Sequence, residues 1–227
     1  MMKNVKFSDP AAALKGKALF AIIKAPSKGV DKMTKEAALL LDWAHEQNPG
    51  PWRAHSLGVA RVCREIARAL GLDDEKAYAL GLLHDIGRYE GVRGIHHVIA
   101  GYELLMAKGM EEAARICITH SFPDRKYEHY IGAMDVTAEE ETKIRQLLAA
   151  AEFDDYDRLA QLGDAIAWGE GVCLMEKRLV DVVLRHGFRE GMQEKWQAWF
   201  DIKADFEKRL GKSIYSLFPE AAENTFG

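Results

Sequence analysis

LGLLHDIGR, residues 80–88, sets His84 and Asp85 at the end of an otherwise apolar run. Leu80, Leu83 and His84 share a face with Ala77 at three- and four-residue spacing, so the run reads as helix. Asp73 and Asp74 start that helix, and Ile86-Gly87 closes it just after the His-Asp pair. A carboxylate beside such a face is expensive to bury alone and tolerable when it is paired or coordinates a cation. The same reasoning applies to Asp164, which lies in LAQLGDAIA, residues 159–167.

Working outward, the neighbouring segments also read as helices. Thr34 suits the N-cap of a helix through Trp43 or His45, with Leu39, Leu40 and Trp43 on one face, and NPGP at 48–51 stops it. The next helix runs from Trp52 to Leu70, with Leu57, Ala60, Ile66, Ala67 and Leu70 as its apolar stripe and Gly71 ending it. His55 falls in its first turn. Further helices are expected at 97–106, 111–120, from Thr137 to about Ala151 through a Thr137/Glu140 capping box, 154–168, 172–186 and 190–210. Residues 121–136 read as a long loop. No segment shows strand alternation, so the chain is expected to be all-α. Its organisation is read as an N-terminal extension over 1–30 containing the loop KAPSKG, a core over 31–170, and C-terminal helices over 171–227 packed on that core.

Composition bounds the function. With 48 % apolar and 29 % charged residues in a chain of 227, a sizeable core is expected. The net charge of −4, from 31 basic and 35 acidic residues, argues against nucleic acid as a partner, while leaving room for a small basic pocket. Cys63, Cys117 and Cys173 are far apart and sit in apolar patterns, so they read as free buried thiols in a reducing compartment. The start lacks the order of a signal peptide, and the apolar run Ala18–Ile23 is too short to span a bilayer. A cytoplasmic protein without membrane contact is expected.

Four of the eight histidines, His55, His84, His97 and His120, fall at or near helix ends. Imidazoles and carboxylates together suit zinc, iron, manganese, nickel or cobalt. Each piece alone is weak; the ordered set is stronger: His, then His-Asp in LLHDIG, then HxxxG, then His, then Asp in an apolar helix. His96 competes with His97, and the spacing to Gly101 selects His97. Asp154, Asp155 and Asp157 compete with Asp164 but have a more solvated look. His45, His129 and His186 read as non-catalytic, and Trp196, Trp199 and Phe200 as core packing.

The set resembles the HD superfamily of metal-dependent phosphohydrolases. The matching segments are HSLGVARVCREIA from His55, LGLLHDIGR from Leu80, HVIAGYELL from His97, ICITH ending at His120, and LGDAIA around Asp164. The resemblance implies an HD-domain helical bundle with additional C-terminal helices. It implies a minimal metal set of His55, His84, Asp85 and Asp164, to which two-metal members add His97 and His120. Asp85 would then bridge, with one ion bound by His55, His84, Asp85 and Asp164 and a second by Asp85, His97 and His120. His84 and Asp85 are accordingly the residues assigned to catalysis. The cofactor is one or two divalent ions: iron, manganese, nickel, cobalt, zinc or magnesium.

In layout the chain is similar to compact bacterial enzymes that split dinucleoside polyphosphates. Arg88 stands where lysine is common in the family, Phe122-Pro123-Asp124 does not reproduce the loop of the cyclic-dinucleotide phosphodiesterases, and the tail after Trp168 is longer than the compact enzymes need. The expected reaction is metal-assisted hydrolysis of a phosphate ester or anhydride of a nucleotide-like small molecule. Arg88, Arg93, Arg125 and Lys126 are candidates to meet its phosphates, against the alternative of solvated surface charge. A di-iron oxygenase and a non-catalytic ligand-binding module are the competing functions, and homodimerisation is left open.

Overall fold

The computed structural model describes residues 30–91, 93–169 and 171–227. The expected N-terminal extension with its KAPSKG loop lies, apart from Val30, outside the described residues. Ten α-helices carry the described chain: α1 Val30–Gln47, α2 Trp52–Leu70, α3 Asp74–Leu83, α4 His96–Met106, α5 Glu111–Thr119, α6 Ala138–Ala150, α7 Asp155–Ile166, α8 Met175–His186, α9 Met192–Leu210 and α10 Ala221–Phe226. The all-α expectation holds. The one strand pairing among the described residues joins Ala167–Trp168 to Gly171–Val172, antiparallel, where helix to Trp168 was expected. Gly169 at φ 59° turns the chain there, as a two-residue hairpin connection requires.

α2 and α3 form the scaffold. Gly71 adopts φ 72° and its N–H closes the last turn of α2, while the Asp73 side chain accepts from Lys76 N and opens α3. The two helices therefore run antiparallel, which brings the start of α2 beside the end of α3. They approach closely because Gly81 has no side chain: a Cβ there would lie 2.6 Å from Ala60 Cα. α1 covers α3. Its buried stripe is Ala37, Leu40, Leu41 and Ala44, and Leu39 is exposed, so the face is rotated from the expected one. Thr34 does not cap this helix. It lies inside it and donates to Glu75 Oε2 at 3.0 Å, since a tertiary acceptor is within its reach.

α4, α5 and α7 pack around this pair. A buried cluster of Ala60, Leu82, Leu83, Leu105, Ile116 and Ala160 ties together five of the helices. The C-terminal segment joins a second cluster, in which Ile202, Phe206 and Phe218 lie with Val62, Ile66 and Leu162. α10 is tied to the hairpin by Asn224 Nδ2, which donates to Val172 O at 2.9 Å. The three cysteines are free and buried. No helix of the described residues is long and apolar enough to cross a membrane.

α6 begins with the expected capping box. Thr137 Oγ1 accepts from Glu140 N at 3.2 Å and Glu140 Oε2 accepts from Thr137 N at 2.7 Å. Thr137→Ala leaves one of these donors to water at an exposed helix end. The expected loss is about 1 kcal/mol in equilibrium denaturant unfolding, with no change in slope. A loss below the error of that measurement would show that the cap adds nothing to α6.

Candidate metal centre

Helix ends deliver the donor groups. His55 lies in the first turn of α2 and His84 is the residue at which α3 ends. At Asp85 the chain leaves the helix, with φ −107° and ψ 15°, and enters a 3₁₀ turn over Ile86–Glu90. Consecutive helical side chains diverge by roughly 100°, and this change of backbone lets both His84 and Asp85 face the same space. His97 is in the first turn of α4, His120 ends α5, and Asp164 lies in the last turn of α7.

The six groups come together. His55 Nε2 is 2.9 Å from Asp164 Oδ1. The Nε2 atoms of His84, His97 and His120 lie 3.7, 3.1 and 3.7 Å from the Asp85 carboxylate. His97 Nε2 and His120 Nε2 are 3.4 Å apart, and the ring centroids of His84 and His120 are separated by 5.0 Å. His84, Asp85, His97 and His120 are almost completely buried. Donor atoms of His55, His84 and Asp164 form one group with metal-binding spacing, and those of His84, Asp85 and His120 form another.

Backbone carbonyls orient the rings. The Nδ1 atoms of His84, His97 and His120 lie 2.8, 2.5 and 3.1 Å from Gly81 O, Gly94 O and Ile116 O. An Nδ1–H donated to a carbonyl fixes the tautomer and leaves Nε2 with a lone pair aimed inward. Buried lone pairs that face one another repel unless a cation lies between them. His84 Nε2 and Asp85 Oδ1 are buried without a hydrogen-bond partner among the described residues. Unsatisfied buried atoms of this kind cost free energy in the protein alone. Donor chemistry, spacing and unsatisfied atoms together fit one or two divalent cations.

Electrostatics keep the site ready for a cation. Burial alone would raise the pKa of Asp85, but the Arg88 guanidinium, with His84 and His97, overrides it and holds this carboxyl well below the usual range. Asp164 is likewise depressed, against burial, by its bond to His55. Burial, aided by the neighbouring His84, lowers His120 to about 3. The site thus presents ionised carboxylates and, at His120, a neutral imidazole, the protonation states that bind metal.

The remaining candidates divide. His96 is outside the cluster and pairs with Glu90 at 2.8 Å and Glu140 at 3.3 Å. Arg88 bonds Asp85 Oδ2 through Nε at 2.5 Å and lines the adjoining cavity. Arg93, Arg125 and Lys126 do not line it. Arg93 is exposed, and its carbonyl accepts from Arg88 Nη1 at 3.4 Å. The loop after His120 folds outward, so Arg125 lies 3.9 Å over the Phe153 ring and donates to Ala151 O at 3.2 Å, and Lys126 is exposed beside it. Asp157, read as solvated, is fully buried between Thr119 and Arg115, and burial pushes its carboxyl up to about 6.

The cavity beside the cluster has a volume of about 680 Å³. Its lining includes Arg178 and Arg185 of α8 and Lys195 of α9, which the sequence reading did not single out, and His186 of α8, which it read as non-catalytic. Trp199, read as core, is buried but also lines it. A lysine on an amphipathic helix normally marks the solvated face, so no local pattern distinguishes Lys195. Its burial, at 3 % exposure, is what does.

A model of the HD domain matches residues 52–169, just over half of the chain. Ribonuclease Y of Mycoplasma capricolum subsp. capricolum is 37 % identical over 87 residues, covering 38 % of this chain and 17 % of that protein. A deoxyguanosinetriphosphate triphosphohydrolase-like protein of Azorhizobium caulinodans is 46 % identical over 52 residues, covering 21 % of this chain and 13 % of that protein. The chain therefore matches less than a fifth of the length of these curated relatives. No solved structure matches it significantly.

Proposed function

This chain belongs to the HD-domain family, and from that premise we propose that it is a metal-dependent phosphohydrolase cleaving a phosphate ester or anhydride of a nucleotide-like small molecule. The observation that carries the reading is the convergence of three Nε2 atoms on the Asp85 carboxylate, with two buried donor atoms left unsatisfied, at the edge of a cavity. His55, His84, Asp85 and Asp164 would hold one cation, and Asp85, His97 and His120 a second. A divalent cation in such a site acidifies water toward neutral pH and offsets charge on phosphoryl oxygens.

The chain's own residues prepare this chemistry. Gly81, Gly94 and Ile116 carbonyls hold three imidazoles in one tautomer. Arg88 fixes the Asp85 rotamer and keeps it ionised. The cavity volume of about 680 Å³ lies within the range of small-molecule sites. The relatives' names concern RNA and a nucleoside triphosphate, and both support phosphate chemistry on a nucleotide-like substrate.

The test is elemental analysis of the purified protein together with phosphate release from a panel of nucleotides and simpler phosphate esters. The expected result is one or two bound transition-metal ions, and turnover that stops on chelation and returns with manganese or iron. Confirmed metal with no turnover across the panel would refute the reading.

A further inference from the structure

We propose that the C-terminal segment builds an anion subsite from Lys195, Arg178 and Arg185, selecting substrates that carry a second phosphate beside the one at the histidine-aspartate centre. The inference deepens the proposed function and rests on it. All three residues lie outside 52–169, the part that matches the family model, and all three line the same cavity as Asp85, His97 and His120.

Lys195 is the strongest element. Its side chain is buried, and Nζ donates to Ser121 O at 2.8 Å and His129 O at 3.2 Å. An ammonium carries three donors; two go to these carbonyls, and the ring faces of Trp199, Tyr130 and Phe122 lie 5.2, 5.8 and 6.0 Å from Nζ. The carboxylates whose charge reaches it are Asp124 and Asp164, neither of which forms an ion pair with it. Both favour this ammonium from a distance, and burial opposes it; an anion admitted to the cavity would add a charge in direct contact. Lys195 also lies one residue from the centre, since Ser121 Oγ is 2.9 Å from His120 Nε2.

Arg178 and Arg185 sit on the cavity side of α8. Asp181 holds both, at 3.4 Å and 2.8 Å. One carboxylate between two guanidiniums leaves a net positive charge. Arg178 Nε is also buried without a hydrogen-bond partner among the described residues. Guanidinium and ammonium groups that line one cavity, with a single carboxylate of the same helix, Asp181, between the two arginines, match the several acceptor oxygens of a phosphate.

The test uses hydrolysis-resistant probes and the full chain with its metal bound. Calorimetric titration compares methylenediphosphonate, which has two phosphonates, with methylphosphonate, which has one. In Lys195→Met, and separately in Arg178→Gln/Arg185→Gln, diphosphonate affinity is expected to fall about tenfold or more, with methylphosphonate affinity changed less than about threefold and metal content unchanged. Equal losses for both probes, or loss of bound metal, would assign these residues a structural role and overturn the proposal. Unchanged diphosphonate affinity, or none in the unsubstituted protein, would overturn it as well. Because no turnover is read, a failure here is distinct from a failure of the phosphohydrolase reading, which rests on phosphate release.

Discussion

Asp85→Ala is expected to abolish metal-dependent phosphate release while leaving the helical fold in place. Asp85 is the group that the inward nitrogens of His84, His97 and His120 all approach, and in the proposed two-cation assignment it is a ligand to both ions. Loss of a residue that merely supports a ligand typically costs 10–100-fold in metal affinity or activity, so loss of a shared ligand is expected to cost about 10³-fold or more. The fold is expected to survive because the cluster is not what holds the helices together. Leu82, Leu83 and Ile86 remain buried on either side, and functional groups of this kind commonly oppose stability. Elemental analysis, circular dichroism and phosphate release on the same preparation decide the matter. A variant that kept both its metal and a tenth of its activity would remove Asp85 from the centre.

Gly87→Ala is expected to act on the same site from the opposite direction, through packing. A Cβ at residue 87 would lie 1.9 Å from His97 O and 2.5 Å from Gly101 N. Both obstacles are backbone of α4, so no side chain can rotate away, and the turn and the helix must separate. Overpacking generally costs 1–3 kcal/mol. Here the expected cost is about 3 kcal/mol or more, because a helix has to move. His97 moves with it, so the cation shared with His120 is expected to be lost as well. Gly71→Ala provides the contrast. At φ 72°, with nothing within 4 Å of the added methyl, it meets only backbone strain, worth roughly 1 kcal/mol. Denaturant midpoints at equal slope measure both. A Gly87→Ala protein as stable as Gly71→Ala would contradict the close approach of the turn and α4.

Much of the fold was legible because its signals are local. The capping box at Thr137, the Gly71 stop and the Asp73 start act within one helical turn, and each is found where the sequence puts it. The face of α1 was misread because Leu39, Leu40 and Leu41 are adjacent, and only the position of α3 decides which of the three points outward. Thr34 was misread as a cap because its acceptor, Glu75, is 41 residues away.

What the amino-acid sequence determined by itself is the kind of chemistry and the carriers of it: helical periods, caps, and histidines and aspartates placed at apolar helix ends in a fixed order. Those are properties of residues separated by a few positions, and they can be read without coordinates. Tertiary structure alone decided that six of these groups meet in one place and that Arg125 and Lys126 point away; the spacing to Gly101 already selects His97 over His96, and the structure agrees with it. It also decided that Lys195, indistinguishable in sequence from a solvated lysine, is buried against the cavity. The physical reason is range: a carboxylate's neighbours at 3 Å are set by how whole helices pack, and no local pattern encodes which distant helix supplies them.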